Sequence, residues 1–332
     1  MKPLTTLVAT AALAATIFAS SAAYAADVTL TVVGYSVAKP VYAKIIPAFK
    51  KAYKAQSGDT VTFKESYQGS GAQTRAVLGG LEADVMMTNV QQYIDPLVDA
   101  GMVNKDWATR LPNNSVPATS VVVAIVRDGN PKNIKDWTDF TRPGIEIVAL
   151  NPKTSGNARW SLLGGYAALD KPDDHSSAEA YIKGIVKNTK TLVNGGREAT
   201  DAFARNHIGD LVLTFENEAK FAAKAGTKTD YVAPTNNIQV DFPVTVIDKN
   251  VDKHNSRAAA EAFVKFLFSP EAQEIYADAG YRPSDKAILA KHEGDYAKVD
   301  KIVTIDQLGG WAKFNKMLFD DGALYDQAQA SK

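Results

Sequence analysis

Residues Asn151-Pro152-Lys153-Thr154-Ser155-Gly156-Asn157-Ala158-Arg159-Trp160 place small, donor-rich groups where a helix is about to begin. Ser155 can cap that helix and Gly156 lets a ligand approach the main chain. The first-turn amides, which have no intrahelical partner, point outward at the positive end of the helix dipole. An arrangement of this kind holds an anion; an ordinary helix cap has the same residues, so one such segment decides little. A second one exists. Gln68-Gly69-Ser70-Gly71 also follows a strand pattern and leads into a helix.

Other chemistries find less support. Neither Ser70 nor Ser155 lies in G-x-S-x-G, and no histidine falls in a loop that would bring it to either serine, so nucleophilic catalysis is not expected. The chain has 4 His and no Cys. The histidines, His175, His207, His254 and His292, lack metal-ligand spacing, and with no thiolate available neither a metal site nor a disulfide framework is expected. No cofactor is expected. Glu82 and Asp84 flank a short strand and read as residues that position loops.

Residues 1–25 carry Lys2, an apolar run and Ala23-Tyr24-Ala25, the pattern of a secretory signal peptide cleaved after Ala25. Export to the periplasm as a monomer is the expectation. With 37 Lys plus Arg against 37 Asp plus Glu, there is no electrostatic footprint for nucleic acid. The remaining length suits two domains, each with its own core.

The elements that must hold the two serine loops alternate between strand and helix. Strand patterns cover 27–33, 60–67, 83–87, 121–126, 145–150, 211–215 and 238–246. Helical periodicity covers the stretch around Tyr42 to Tyr53, with Pro47 expected to kink it, and 94–102, 158–169, 178–186, 216–223, 256–276 and 311–329. Such alternation predicts an α/β chain with mostly parallel sheets flanked by helices, and with ligand loops at the carboxyl ends of strands. The expected division is 26–115 with 241–332, including the C-terminal tail, as lobe 1, and 116–240 as lobe 2 with the crossing strands.

Taken together, Gly69-Ser70-Gly71, Gly80-Leu81-Glu82-Ala83-Asp84-Val85, Leu111-Pro112-Asn113-Asn114-Ser115, Gly129-Asn130-Pro131, Asn151 to Gly156, Ala158-Arg159-Trp160, Glu216-Asn217-Glu218-Ala219, Ser269-Pro270-Glu271 and Tyr281-Arg282-Pro283 give a chain that resembles the periplasmic sulfate- and thiosulfate-binding proteins of ABC importers. The resemblance implies the two-lobed periplasmic-binding-protein fold, type II, with the ligand in the cleft between lobes. It also implies capture of a dehydrated oxyanion for a membrane permease.

By the same resemblance, donors come from Ser36, Ser70, Ser155 with Gly156 and Asn157, and Gly196. The family places a tryptophan donor where this chain has Phe215, which makes Tyr35 the candidate substitute. Glu198, two residues after Gly196, is an acceptor that would suit a protonated oxyanion such as phosphate if it turned inward. Molybdate is a further alternative ligand, and an exported hydrolase of sulfate or phosphate esters the remote alternative. Arg159 and Arg197 are expected to brace loops rather than touch the anion.

Overall fold

The computed structural model describes residues 27–332; the expected signal peptide and its cleavage site lie outside them. Twelve strands are present among the described residues: β1 Asp27–Tyr35, β2 Thr60–Gln68, β3 Val85–Met87, β4 Ala118–Arg127, β5 Ile147–Leu150, β6 Thr189–Val193, β7 Leu211–Phe215, β8 Thr229–Val232, β9 Asn236–Asp241, β10 Val244–Val246, β11 Arg282–Pro283 and β12 Lys301–Val303. They form two sheets, and each sheet anchors one lobe.

The first sheet runs β10-β3-β1-β2, parallel except for the returning strand β10. The second runs β12-β9-β4-β7-β5-β6. It is mixed rather than mostly parallel, because β4 lies antiparallel to β7, β8, β9 and β11. The apolar run Val121 to Val126 explains how β4 can serve so many neighbours. Val122, Ala124 and Val126 join one core cluster while Val121, Val123 and Ile125 join another, so both faces of the strand are buried and no alternation is written in its sequence.

Three expected elements are interrupted. The strand expected over 238–246 is two strands, separated at Phe242-Pro243, where the chain leaves the second sheet for the first. Proline has no N–H for a ladder, so it suits the switch point. The helix expected over 256–276 divides into Arg257–Phe266 and Pro270–Asp278. Ser269 caps the second piece by accepting the Ala272 amide at 3.3 Å, with Pro270 in its first turn. The C-terminal helix is likewise broken, into Gly310–Phe314, a π turn Asn315–Phe319 and Leu324–Ala330, with Gly322 at φ 78° in the gap. The helix expected over 94–102 keeps only Asp95–Asp99, whereas Lys39–Ser57 runs on through Pro47.

The lobe boundary at the C-terminus needs correction. Residues 241–332 do not all stay with lobe 1, because the chain crosses a third time near Gly280-Tyr281. Beyond that point β11 pairs with β4 and β12 with β9. Arg282 makes a buried ion pair with Glu216 at 2.9 Å, and the last helix packs on Ser176–Asn188. The tail therefore belongs to the second lobe. Among the described residues no helix is long and apolar enough to cross a membrane.

Candidate functional site

Both serine loops lie at carboxyl ends of strands, as the alternating pattern required, and the two lobes are in contact across them. Gly69, at the end of β2, faces the Thr154 carbonyl so closely that a Cβ would sit 2.6 Å from it. Gly156 opens the helix Gly156–Leu169 and faces Asn89 and Val90, which follow β3. A Cβ there would overlap Asn89 Oδ1 and approach Val90 Cγ2 to 2.6 Å. These glycines are needed for proximity, not for an unusual backbone angle.

Ser70 starts the helix Ser70–Leu78 and is buried. Its hydroxyl donates to Asn89 Oδ1 at 2.7 Å. Ser155 is the buried N-cap residue of the facing helix, and its side chain makes no capping hydrogen bond. Asn157 donates through Nδ2 to Thr214 Oγ1 at 3.0 Å and accepts from Ser161 at 3.2 Å. Its side chain is thus committed to the lobe interior.

Gly196 opens the helix Gly196–Ala204. A Cβ at this position would lie 2.9 Å from Val37 Cγ1, 3.1 Å from Asn157 Nδ2 and 3.9 Å from Ser36 Oγ. Ser36, in the turn that leads into Lys39–Ser57, therefore meets the Gly195-Gly196 turn across the cleft. Ser36, Ser70, Ser155, Gly156, Asn157 and Gly196 are brought into one region by four segments, two from each lobe.

The remaining candidates are placed differently. Glu198 is exposed, and its Oε2 accepts the Asn194 amide at 3.1 Å, so it turns back to its own loop rather than inward. Phe215 is fully buried, with its ring edge-on to Phe242 at 5.5 Å. Tyr35 stacks on Phe242 at 5.0 Å, and its hydroxyl lies 3.4 Å from that of Tyr281. The phenol is turned into a cluster of aromatic side chains. Burial raises the pKa of Tyr35 well above the usual phenol value.

The arginines brace, as expected. Arg159 donates to the Pro152 carbonyl at 2.8 Å and to Asn315 at 2.9 Å. Arg197 pairs with Glu218 at 3.1 Å and lies 4.1 Å over the Phe221 ring. Glu218 is buried, and neither of its oxygens has a well-directed hydrogen bond. Burial pushes its carboxyl up to about 7 against the pull of Arg197. Asp84 accepts from Thr31 N, Ser256 and His254, which fits the loop-positioning role read for it.

Sequence reasoning did not single out Asn89. It accepts from Ser70, faces Gly156, and takes the Trp160 indole N–H on its carbonyl from the other lobe. Its place just after the buried strand β3 was the available signal, since ligand loops gather at strand ends.

Two sheets with anion-competent helix starts meeting between them define a clamp-type solute-binding protein. A periplasmic thiamin-binding protein has this same fold, with a TM-score of 0.67 at 18% identity over 91% of this chain and 96% of its own. A model of bacterial extracellular solute-binding proteins matches residues 30–282. The sulfate-binding protein of Synechococcus elongatus is 42% identical, over 93% of this chain and 89% of that protein. The thiosulfate-binding protein of Pseudomonas aeruginosa is 43% identical, over 95% and 96%. The structure of the sulfate-binding protein SubI from Mycobacterium tuberculosis superimposes with a TM-score of 0.81 at 36% identity, covering 88% of this chain and all of that one. The chain belongs to the sulfate- and thiosulfate-binding family of bacterial extracellular solute-binding proteins.

Proposed function

We propose that this protein is the exported receptor of an ABC importer, that it captures sulfate or thiosulfate between its lobes, and that it hands the anion to a membrane permease. The observation that carries this reading is the meeting of helix starts from both lobes, each with a serine or glycine, in a chain of this family. Ser36, Ser70, Ser155, Gly156, Asn157 and Gly196 supply neutral N–H and O–H donors. The helix dipoles favour the negative charge without a cationic side chain at the anion. The protein binds and releases its ligand rather than transforming it. Its signal peptide is removed after Ala25, and the mature protein acts in the periplasm as a monomer.

A site whose anion contacts are all donors suits a fully deprotonated oxyanion. Hydrogen phosphate brings one proton that needs an acceptor, and leaving that donor unmet costs about 1–3 kcal/mol. Glu198 is the carboxylate nearest in sequence to the Gly196 turn, and it accepts instead from Asn194, which favours sulfate and thiosulfate over phosphate. Isothermal titration with sulfate, thiosulfate, molybdate and phosphate from pH 5 to 8 tests the assignment. Stoichiometric binding of sulfate or thiosulfate is expected; tight phosphate binding with no response to either would overturn it. Intact mass of the exported protein and its elution volume test the cleavage site and the monomer.

A further inference from the structure

We propose that the π turn Asn315–Phe319 is a latch between the lobes, in which Asn315 ties the helix start at Gly156 to the one at Ser70 and so sets how long the closed cleft keeps its anion. This rests on the binding site proposed above. The last stretch of chain is fastened to the second lobe, yet one of its side chains reaches the first. Asn315 accepts from Arg159 Nη1 at 2.9 Å through Oδ1, and through Nδ2 it donates to Gln92 Oε1. Arg159 stands near the start of the helix Gly156–Leu169, and Gln92 lies in the short turn Gln91–Tyr93 that follows β3 in the first lobe.

A π turn suits this task. The Asp320 amide donates to the Asn315 carbonyl at 2.7 Å, the wide-ring bond that defines such a turn. The main chain of Asn315 is thus held by its own segment, and both ends of its side-chain amide are free to serve the two lobes. The Arg159 guanidinium lies 5.1 Å from the centre of the Phe319 ring and 5.5 Å from that of Tyr93, so a ring of the tail and a ring of the first lobe flank one cation. Gln92 Nε2 is buried without a partner. Asn315 therefore supplies the hydrogen bond that the Gln92 amide has, and parting the lobes breaks it.

Tyr93, next to Gln92, packs directly against the Ser70 helix. Its carbonyl accepts the Thr74 hydroxyl at 2.7 Å, and a Cβ on Gly71 would come within 3.0 Å of its ring. The latch therefore joins the two helix starts that meet across the cleft, at a point away from their donor groups. Contacts that form only when the lobes meet add nothing to the first encounter with an anion and act on its escape.

Stopped-flow tryptophan fluorescence of the full mature protein with sulfate and with thiosulfate tests the latch, read through Trp160 and Trp311, whose rings meet edge-on at 4.7 Å. Asn315→Ala and Gln92→Ala are each expected to speed anion dissociation about fivefold, the equivalent of one net hydrogen bond, with the association rate unchanged. The double variant should release the anion no faster than Asn315→Ala alone, because both changes remove the same contact. Unchanged dissociation in either variant, affinity lost through slower association, or a double variant in which the two effects multiply would overturn the latch and leave the binding site standing. A wild-type protein that binds neither anion would overturn the site itself, and the latch with it. If Asn315→Ala does not fold, the dissociation rate of Gln92→Ala decides.

Discussion

Two helix starts face the same cleft from the second lobe and are held by different means. The loop before Gly156 is tied to remote parts of the chain: Lys153 donates to the Phe319 carbonyl at 2.8 Å, to Asp326 at 3.0 Å and to Asp321 at 3.1 Å. Arg159 reaches Asn315, and Trp160 packs edge-on against Trp311 at 4.7 Å. The turn before Gly196 is held closer at hand, by Glu198 on Asn194, by Arg197 on the buried Glu218, and by Thr154 of the neighbouring loop on the Asn194 carbonyl at 3.3 Å. Remote ties fix a loop before any ligand arrives, whereas local ties leave more of the ordering to binding. On these contacts the first start is expected to be the more rigid wall, and the second the one that completes the site.

The contrast is most directly broken by filling the space at each start. Gly156→Ala places a methyl group into Asn89 and Val90 of the opposing lobe, so the lobes cannot meet, and anion affinity should fall by more than about a hundred-fold in isothermal titration. The ligand-free protein should melt almost unchanged, because an open cleft relieves the clash. Gly196→Ala meets a valine methyl and an amide at longer range and should cost about tenfold. Equal losses at the two sites would remove the distinction.

Cutting the remote tie comes next. Lys153→Ala removes three hydrogen bonds from a partly exposed ammonium and should weaken anion binding by about tenfold, with a melting temperature lower by a few degrees. A change in melting temperature with no change in affinity would make the tail a stabiliser only.

The local tie carries a pH signature. Because the folded-state pKa of Glu218 is raised to about 7 by burial, the folded protein holds a proton that the unfolded chain releases near pH 4.5. This contribution to stability is complete below pH 4.5 and is lost as pH rises through 7. Relative to wild type, Glu218→Gln should flatten the fall in melting temperature between pH 5 and 8. Parallel curves would show that Glu218 does not titrate there. The smallest effect is expected for Glu198→Ala, an exposed loop contact, with anion affinity changed by less than about twofold.

The same contrast marks what was legible in sequence. The rigid start is written compactly in Asn151 to Trp160, where cap, glycine and helix follow in order, and the alternation of strands and helices placed it at a strand end. The ties that make it rigid were not legible, since Phe319 and Asp326 lie more than 160 residues away and no local pattern records a pairing at that distance. For the same reason the tail was assigned to the wrong lobe: the Arg282 to Glu216 pair and the short strand β12 have meaning only once β4 and β9 are in place. Asn89 was missed because its neighbours across the cleft, not its own sequence, make it central. Glu198 illustrates the converse, a carboxylate in a suggestive position that the Asn194 amide, two residues before its helix, had already claimed.

The hold of the last residues on Lys153 also sets an order of events during biogenesis. The ribosome releases the chain from its N-terminus, so the loop that ends at Gly156 is made long before Phe319 and Asp326 can reach it. The binding wall is therefore finished last, when nearly the whole polypeptide has emerged. A chain still being made carries an incomplete clamp, which is completed only once its own C-terminus is free to fold back.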